Sequence, residues 1–229
     1  MANLKEKLVK PTGPIYLDQI DLIHVRDRTL SANSDTRSKL LTAAVELFGV
    51  RGFEGCTMRD IAQSVGFTAP AIYNHYSSKQ QLLVAAVDFI LSDFLIAVLD
   101  GLEAYQKDNV RLFELVRRHA YYMTSRLETA TANEHLLEPE FMARSMPLEA
   151  ADRFRAARRA YTHIVGQLVS SAAPARVGVD QVVRTFAVIS VMNYVYWWYR
   201  PHGRLRPEDV AEQTCQLVAE MLGTSVPTA

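Results

Sequence analysis

An all-α fold is what the sequence predicts, and three observations predict it. Apolar residues recur at helical spacing through most of the chain from Asp35 onward, in segments of a dozen residues or more. Sustained period-2 alternation, the mark of a half-buried strand, is missing. Glycine and proline cluster between the periodic segments rather than within them, at Gly52, Gly66, Glu138-Pro139, Met146-Pro147, Ala173-Pro174 and Pro201-His202-Gly203. With 229 residues, 49% of them apolar, the chain has enough surface to bury for a substantial core. Its 22% of charged residues excludes wholesale disorder.

The first 34 residues read as an extension. Pro11, Gly13 and Pro14 interrupt it, a short helix fits Ile15–Val25, and the capping residues Ser31 to Asp35 end it. A first head helix starts at Asp35. Leu40, Leu41, Ala44, Val45, Leu47 and Phe48 fall on one broad face, and Arg51-Gly52-Phe53 stops the helix. Thr57 restarts helix: its hydroxyl can cap free amides, and Asp60 stands in capping-box relation to it. Gly66 ends that short helix. Thr68 caps the next, with Pro70 in the first turn where a missing N–H costs nothing. Ser78 with Gln81 opens a long helix from Lys79 to about Tyr105. Further amphipathic helices cover roughly 109–130, 148–172, 178–199 and 207–222. The domains are therefore 1–34, an extension; 35–82, a small helical head; and 83–229, a helical body.

Within the head, residues 57–76, TMRDIAQSVGFTAPAIYNHY, carry the information. Ala62 is small enough for two helices to pack closely, Gly66 can take the positive φ of a tight turn, and Ile72 plugs the core beneath it. This spacing is that of a helix-turn-helix, although a plain helical hairpin with a glycine turn shares it. The charge split is compatible with nucleic acid but small: the net charge is zero, +2 over residues 1–81 and −2 over 82–229.

Residues 40–87, LLTAAVELFGVRGFEGCTMRDIAQSVGFTAPAIYNHYSSKQQLLVAAV, closely resemble the DNA-binding head of tetracycline-repressor (TetR) family regulators. The resemblance implies a three-helix helix-turn-helix DNA-binding head, then a helical-bundle domain for ligand binding and dimerisation. It implies a homodimer on an inverted-repeat operator in double-stranded DNA, released by a small-molecule effector, with repression as the family default and a cytoplasmic location. Thr68–His75 would be the recognition helix in the major groove. Thr57 and Thr68, at helix starts, suit phosphate contact, and so does Lys79. The family uses the positions of Tyr73 and His75 for the DNA backbone. Arg59 can reach phosphate or a base, Asn74 can pair with adenine, and Ala69 can touch a thymine methyl. Ala69-Pro70 replaces the polar residues many relatives carry, which leaves few side chains for base edges and shifts specificity towards DNA shape.

The body is less explicit. Helices 180–199 and 207–222 are apolar over more than one stripe, as expected if one face meets the body and another a second copy. Tyr122, Tyr194, Trp197 and Trp198 offer apolar walls with polar edges, and Arg155 and Arg158 belong to an arginine-rich helix before Tyr161. These residues are the candidate effector site, with an acyl-CoA thioester as the leading effector. Residues 198–208, WYRPHGRLRPE, also look like the C-terminal helices of TetR-type regulators of fatty-acid and steroid catabolism. A solvated arginine face and plain core packing of the aromatics remain open.

Two other function classes stay in view: a helical-bundle enzyme, and a helical scaffold that no longer binds DNA. Against the first, no Glu-x-x-His pairs, His-Glu-x-x-His or cysteine quartet are present, so no cofactor or metal is expected. The group Glu134-His135 with Glu138 and Glu140 comes nearest, and His24, His75, His119, His135, His163 and His202 are scattered. Cys56 and Cys215 read as buried free thiols. The opening MANLKEKLVKPTGP lacks the apolar segment of a secretory leader, and the apolar stretch Val177–Tyr199 is interrupted by Asp180, Gln181, Arg184 and Asn193, so no membrane span is expected.

Overall fold

The structure is a computed structural model that describes residues 17, 20–22, 25, 35–127, 130, 136–173 and 178–227. Among these residues there is helix and turn but no strand. Helix α1 spans Asp35–Arg51, α2 Met58–Ser64, α3 Ala69–Tyr73 and α4 Lys79–Leu99. Helix α5 spans Asp108–Ser125, α6 Pro139–Ser145, α7 Leu148–Ala172, α8 Gln181–Asn193, α9 Val195–Trp198 and α10 Pro207–Leu222.

Helices α1 to α3 form the head. Leu40, Leu41, Ala44 and Phe48 of α1 are buried, and α1 packs on both α2 and α4. Ala62 and Ile72 are fully buried where α2 and α3 meet. Burying Ile72 contributes about 2–3 kcal/mol, which holds the turn closed. Gly66 has φ +76°, the left-handed conformation that a side chain resists, so the α2–α3 turn needs a glycine here.

The body is built around α5, which packs against α4, α7, α8 and α10. Phe113 of α5 and Phe154 of α7 are among its largest buried side chains. Helix α4 connects head and body and is long and apolar enough to cross a membrane by length and composition, yet 67% of its most apolar window is buried inside the protein. It is a core helix. Leu17, Ile20, Leu22 and Val25 of the extension are buried in the same core cluster as α1 and α4. The helix expected over Ile15–Val25 falls mostly outside the described residues.

Several expected bounds shift, each for a local reason. Helix α4 ends at Leu99 rather than near Tyr105, because Gly101 turns left-handed at φ +73° and a single 3₁₀ turn, Leu102–Ala104, follows. The 178–199 helix is broken: Tyr194 leaves helical geometry, and α9 resumes for one turn. Glu138-Pro139, expected only to break helix, starts one, with Pro139 in the first turn of α6. Both cysteines are free and buried, and burial pushes the Cys215 thiol up to about 12.

Candidate nucleic-acid interface and effector cavity

The head presents its polar residues on short, well-capped elements. The Thr57 hydroxyl accepts from the Asp60 amide at 3.2 Å, and the Asp60 carboxylate accepts from the Thr57 N–H at 2.8 Å and its hydroxyl at 2.7 Å. This box holds the Asp60 carboxyl below the usual range. It also commits the Thr57 hydroxyl to its own helix and places a negative charge there. Thr68 differs: its side chain makes no cap hydrogen bond, and its hydroxyl is exposed.

The recognition segment is shorter as regular helix than the expected Thr68–His75. Asn74 and His75 lie in a turn after Tyr73, with amides still bonded to the Pro70 and Ile72 carbonyls. Tyr73 is 53% exposed, which decides against a core role for it. Arg59, Pro70, Asn74 and His75 are also exposed, while Ala69 is half-buried. Tyr76 points the other way, is buried, and accepts from the Arg37 Nε at 3.1 Å.

Lys79 has an additional task that its motif position did not disclose. Its ammonium donates to the carbonyls of Phe53 at 2.8 Å and Cys56 at 3.1 Å, lies 4.2 Å from the Phe53 ring centroid and is 4.0 Å from Glu54. Two of its three donors thus close the α1–α2 loop onto the start of α4. Ser78 caps α4 by accepting from the Gln81 amide, but the Gln81 side chain returns to Ser77 rather than Ser78.

The body holds a partly open cavity of about 500 Å³. Leu91, Phe94 and Leu95 of α4, His119 and Met123 of α5, Tyr161 of α7, and Ile189 and Asn193 of α8 line it, among others. Arg158 and Tyr194, both expected at an effector site, line it. Tyr122, Arg155, Trp197 and Trp198 do not. Tyr122 stands one layer back: it donates to Asp93 at 2.9 Å and meets the Phe94 ring edge-on. Arg155 pairs with Asp152 at 2.6 Å along its own helix. Trp197 and Trp198 are 68% and 52% exposed; after the break at Tyr194 it is Tyr196 of α9 that lines the cavity. Arg153 also turns elsewhere, to the buried Asp88 at 3.9 Å.

What sequence reasoning missed is the aromatic and histidine lining. Phe94 packs edge-on against His119, Tyr161 and Tyr122 at 4.8, 5.3 and 5.3 Å between ring centroids. The Tyr161 hydroxyl is 2.7 Å from His119 Nδ1. Among the described residues no group of three or more His, Cys, Asp or Glu could hold a metal; Glu134 and His135 lie outside them.

A second surface is apolar and uncovered in the single chain. Val182, Val183 and Phe186 of α8 and Leu217 of α10 are each between 47% and 59% exposed. They lie on the two helices expected to meet a second copy.

A three-helix head carrying a helix-turn-helix, joined through α4 to a helical body with a cavity, is the architecture of a helix-turn-helix regulator. The comparisons agree. The family described as bacterial regulatory proteins, tetR family, matches residues 40–86, and the tetracyclin repressor-like C-terminal domain matches residues 108–222. This chain belongs to the tetracycline-repressor family. The transcriptional repressor KstR2 of Mycobacterium tuberculosis is 25% identical over 203 residues, which span 84% of this chain and 95% of that protein. A TetR/AcrR-family regulator of Thermobifida fusca is 29% identical, with a TM-score of 0.58 over 81% of this chain and 97% of that one. AibR, solved with isovaleryl coenzyme A and operator DNA, shares the fold at 23% identity, with a TM-score of 0.68 over 83% of this chain and all of that one (100%).

Proposed function

We propose that this protein is a dimeric, ligand-responsive transcriptional repressor that leaves an inverted-repeat operator when a bulky, largely apolar effector fills the body cavity. The observation that carries this reading is the position of the cavity: its wall includes α4, and the first residue of α4, Lys79, is bonded to the head. A ligand that favours one tilt of α4 therefore favours one placement of the head. A tenfold loss of DNA affinity needs only about 1.4 kcal/mol of such coupling.

On the DNA side, the exposed Arg59, Thr68, Tyr73, Asn74 and His75 would meet the major groove, with Lys79 beside them on the backbone; Thr57, whose donors both go to Asp60, would reach a phosphate only by giving up that box. Tyr73 and His75 would position the head, and Asn74 would read a base. The uncovered face of α8 and α10 would bind a second copy, setting two heads about one turn of DNA apart, roughly 34–36 Å. On the effector side, an acyl-CoA thioester remains the leading candidate: the cavity takes the acyl part, and Arg158, exposed at its rim, spends one donor on the Leu137 carbonyl at 3.0 Å and has others to offer a phosphate. AibR was solved with a coenzyme A ester, and a structural relative at 19% identity carries the name ketosteroid transcriptional regulator. The named relatives are regulators, not enzymes, and a DNA-binding regulator of this kind works in the cytoplasm.

The test is a gel shift on the DNA upstream of the chain's own gene, followed by titration of acyl-CoA esters, free fatty acids, steroids and cationic dyes. Retarded DNA released by CoA esters is the expected result. No retardation overturns the regulator reading, and release by cationic dyes alone replaces the acyl-CoA class.

A further inference from the structure

The cavity's polar groups are not arranged for a charge. Its charged lining residues, Glu138 and Arg158, are both exposed and belong to its mouth. At depth stands His119, 1% exposed, with Nδ1 bonded to the Tyr161 hydroxyl at 2.7 Å. Its other nitrogen, Nε2, is buried and makes no hydrogen bond of ordinary geometry; the Asn193 side chain comes near enough only for a weak one. Buried polar atoms are normally paired, so an under-paired nitrogen on a cavity-lining residue is where a ligand oxygen can complete the pairing.

The state of the ring follows from its neighbours. Tyr161 is buried and burial pushes its phenol up, so its hydroxyl keeps its proton. When that hydroxyl donates across the 2.7 Å contact, His119 Nδ1 is the acceptor. A neutral imidazole has one donor and one acceptor nitrogen, so Nε2 carries the ring proton. Burial pulls the imidazole pKa down to about 3, and a weak hydrogen bond with the Asn193 side chain opposes this only in part. The ring therefore supplies no positive charge at neutral pH. Phe94, edge-on to both the His119 and Tyr161 rings, fixes their orientation.

We infer that His119 is the polar anchor of the cavity: oriented by Tyr161, its Nε2–H donates to a carbonyl or hydroxyl oxygen within an uncharged, otherwise apolar ligand core, with the Asn193 amide beside it. The inference rests on the cavity being the effector site, as proposed above, and narrows the effector to molecules whose buried part carries an oxygen. A plain alkyl chain leaves the donor unpaired, and a carboxylate at this depth meets no cation. A site built around one hydrogen bond discriminates strongly against an analogue that lacks it.

The experiment uses the full chain and three uncharged probes. Nile red reports on the cavity, and cyclododecanone and cyclododecane compete for it with one skeleton, with and without the oxygen. The ketone is expected to displace Nile red at about tenfold lower concentration than the hydrocarbon, the value of one good buried hydrogen bond. In His119→Leu and Tyr161→Phe the preference should shrink to about twofold while Nile red still binds. Equal displacement by both probes in the unaltered protein overturns the anchor and leaves the cavity standing. Failure of Nile red and both probes to bind overturns the effector-site reading itself. If the variants do not fold, nitrogen NMR of the unaltered protein decides: the protonated Nε2 of His119 should shift on adding cyclododecanone and not cyclododecane. A ring protonated at Nδ1, or no shift with the ketone, sinks the inference.

Discussion

The head and the body both bind something, but they present their contacts in opposite ways. In the head, Arg59, Tyr73, Asn74 and His75 are exposed on short helices and the turn that follows, whose geometry is set by caps, a left-handed glycine and one buried isoleucine. Each can be replaced without disturbing the others. In the body, Phe94, His119, Tyr161 and Asn193 come from four helices and stand against one another in the interior. A rigid, exposed set suits a large, regular, charged partner; an enclosed, mutually dependent set suits a small partner recognised by shape and a single polar contact.

The largest effect should come from the face proposed to join two copies. Val183→Glu with Leu217→Glu is expected to give a particle near the 25.8 kDa of one chain by sedimentation, and operator affinity lower by roughly a hundredfold or more. An intact dimer would move the interface elsewhere on the body.

Next come the head residues, where independence can be tested directly. Asn74→Ala should alter preference among operator variants by about 1–3 kcal/mol, whereas Tyr73→Phe should weaken all sequences alike by about five- to tenfold. If Tyr73→Phe changes sequence preference instead, the placement of this turn in the groove is wrong.

Lys79 sharpens the comparison because it serves the head from inside. Lys79→Met should cost about 1.5–3 kcal/mol by urea unfolding, since two carbonyls lose a charged donor. The slope of log affinity against log salt distinguishes its roles: a drop of about one unit marks a phosphate contact, and an unchanged slope marks a clamp alone.

His119 gives a pH signature from the body. Its folded pKa, about 3, lies below the ordinary value of 6.5. Between these values the unfolded chain takes up a proton that the folded one refuses. Stability is therefore fully present above pH 6.5 and falls as pH drops towards 3, by about 1.4 kcal/mol per pH unit for this one group. Urea titrations at pH 7 and 5 should show this loss in the unaltered protein and less of it in His119→Leu. The smallest effect concerns the arginines: Arg158→Ala should weaken a CoA ester about three- to tenfold, and Arg155→Ala should leave it unchanged.

The head was legible in the sequence because its determinants are local. Thr57 and Asp60 are three residues apart, and Ala62, Gly66 and Ile72 lie within eleven residues of one another. Periodicity and capping chemistry report on such distances. The cavity was not legible, because helical period tells which residues point inward and not which of them surround a void. His119 and Tyr161 are 42 residues apart and look like ordinary inward positions. The tryptophans misled for a related reason: a pattern that assumes one straight helix to Tyr199 carries Trp197 and Trp198 onto the wrong face once the chain bends at Tyr194. The role of Lys79 was hidden by its motif, which accounts for a lysine there without the Phe53 and Cys56 carbonyls.

Helix α4 has a further property that follows from length alone. Phe94, on the cavity wall, and Lys79, bonded to the head, lie on the same rigid rod. At 1.5 Å per residue they are roughly 22 Å apart along its axis. Rotating that rod by about 5° about its cavity end displaces the head by about 2 Å, more than half a hydrogen-bond length. A ligand as small as a few carbon atoms can thus be read out as a mechanical advantage, with the swing at the DNA set by where along the helix the ligand pushes.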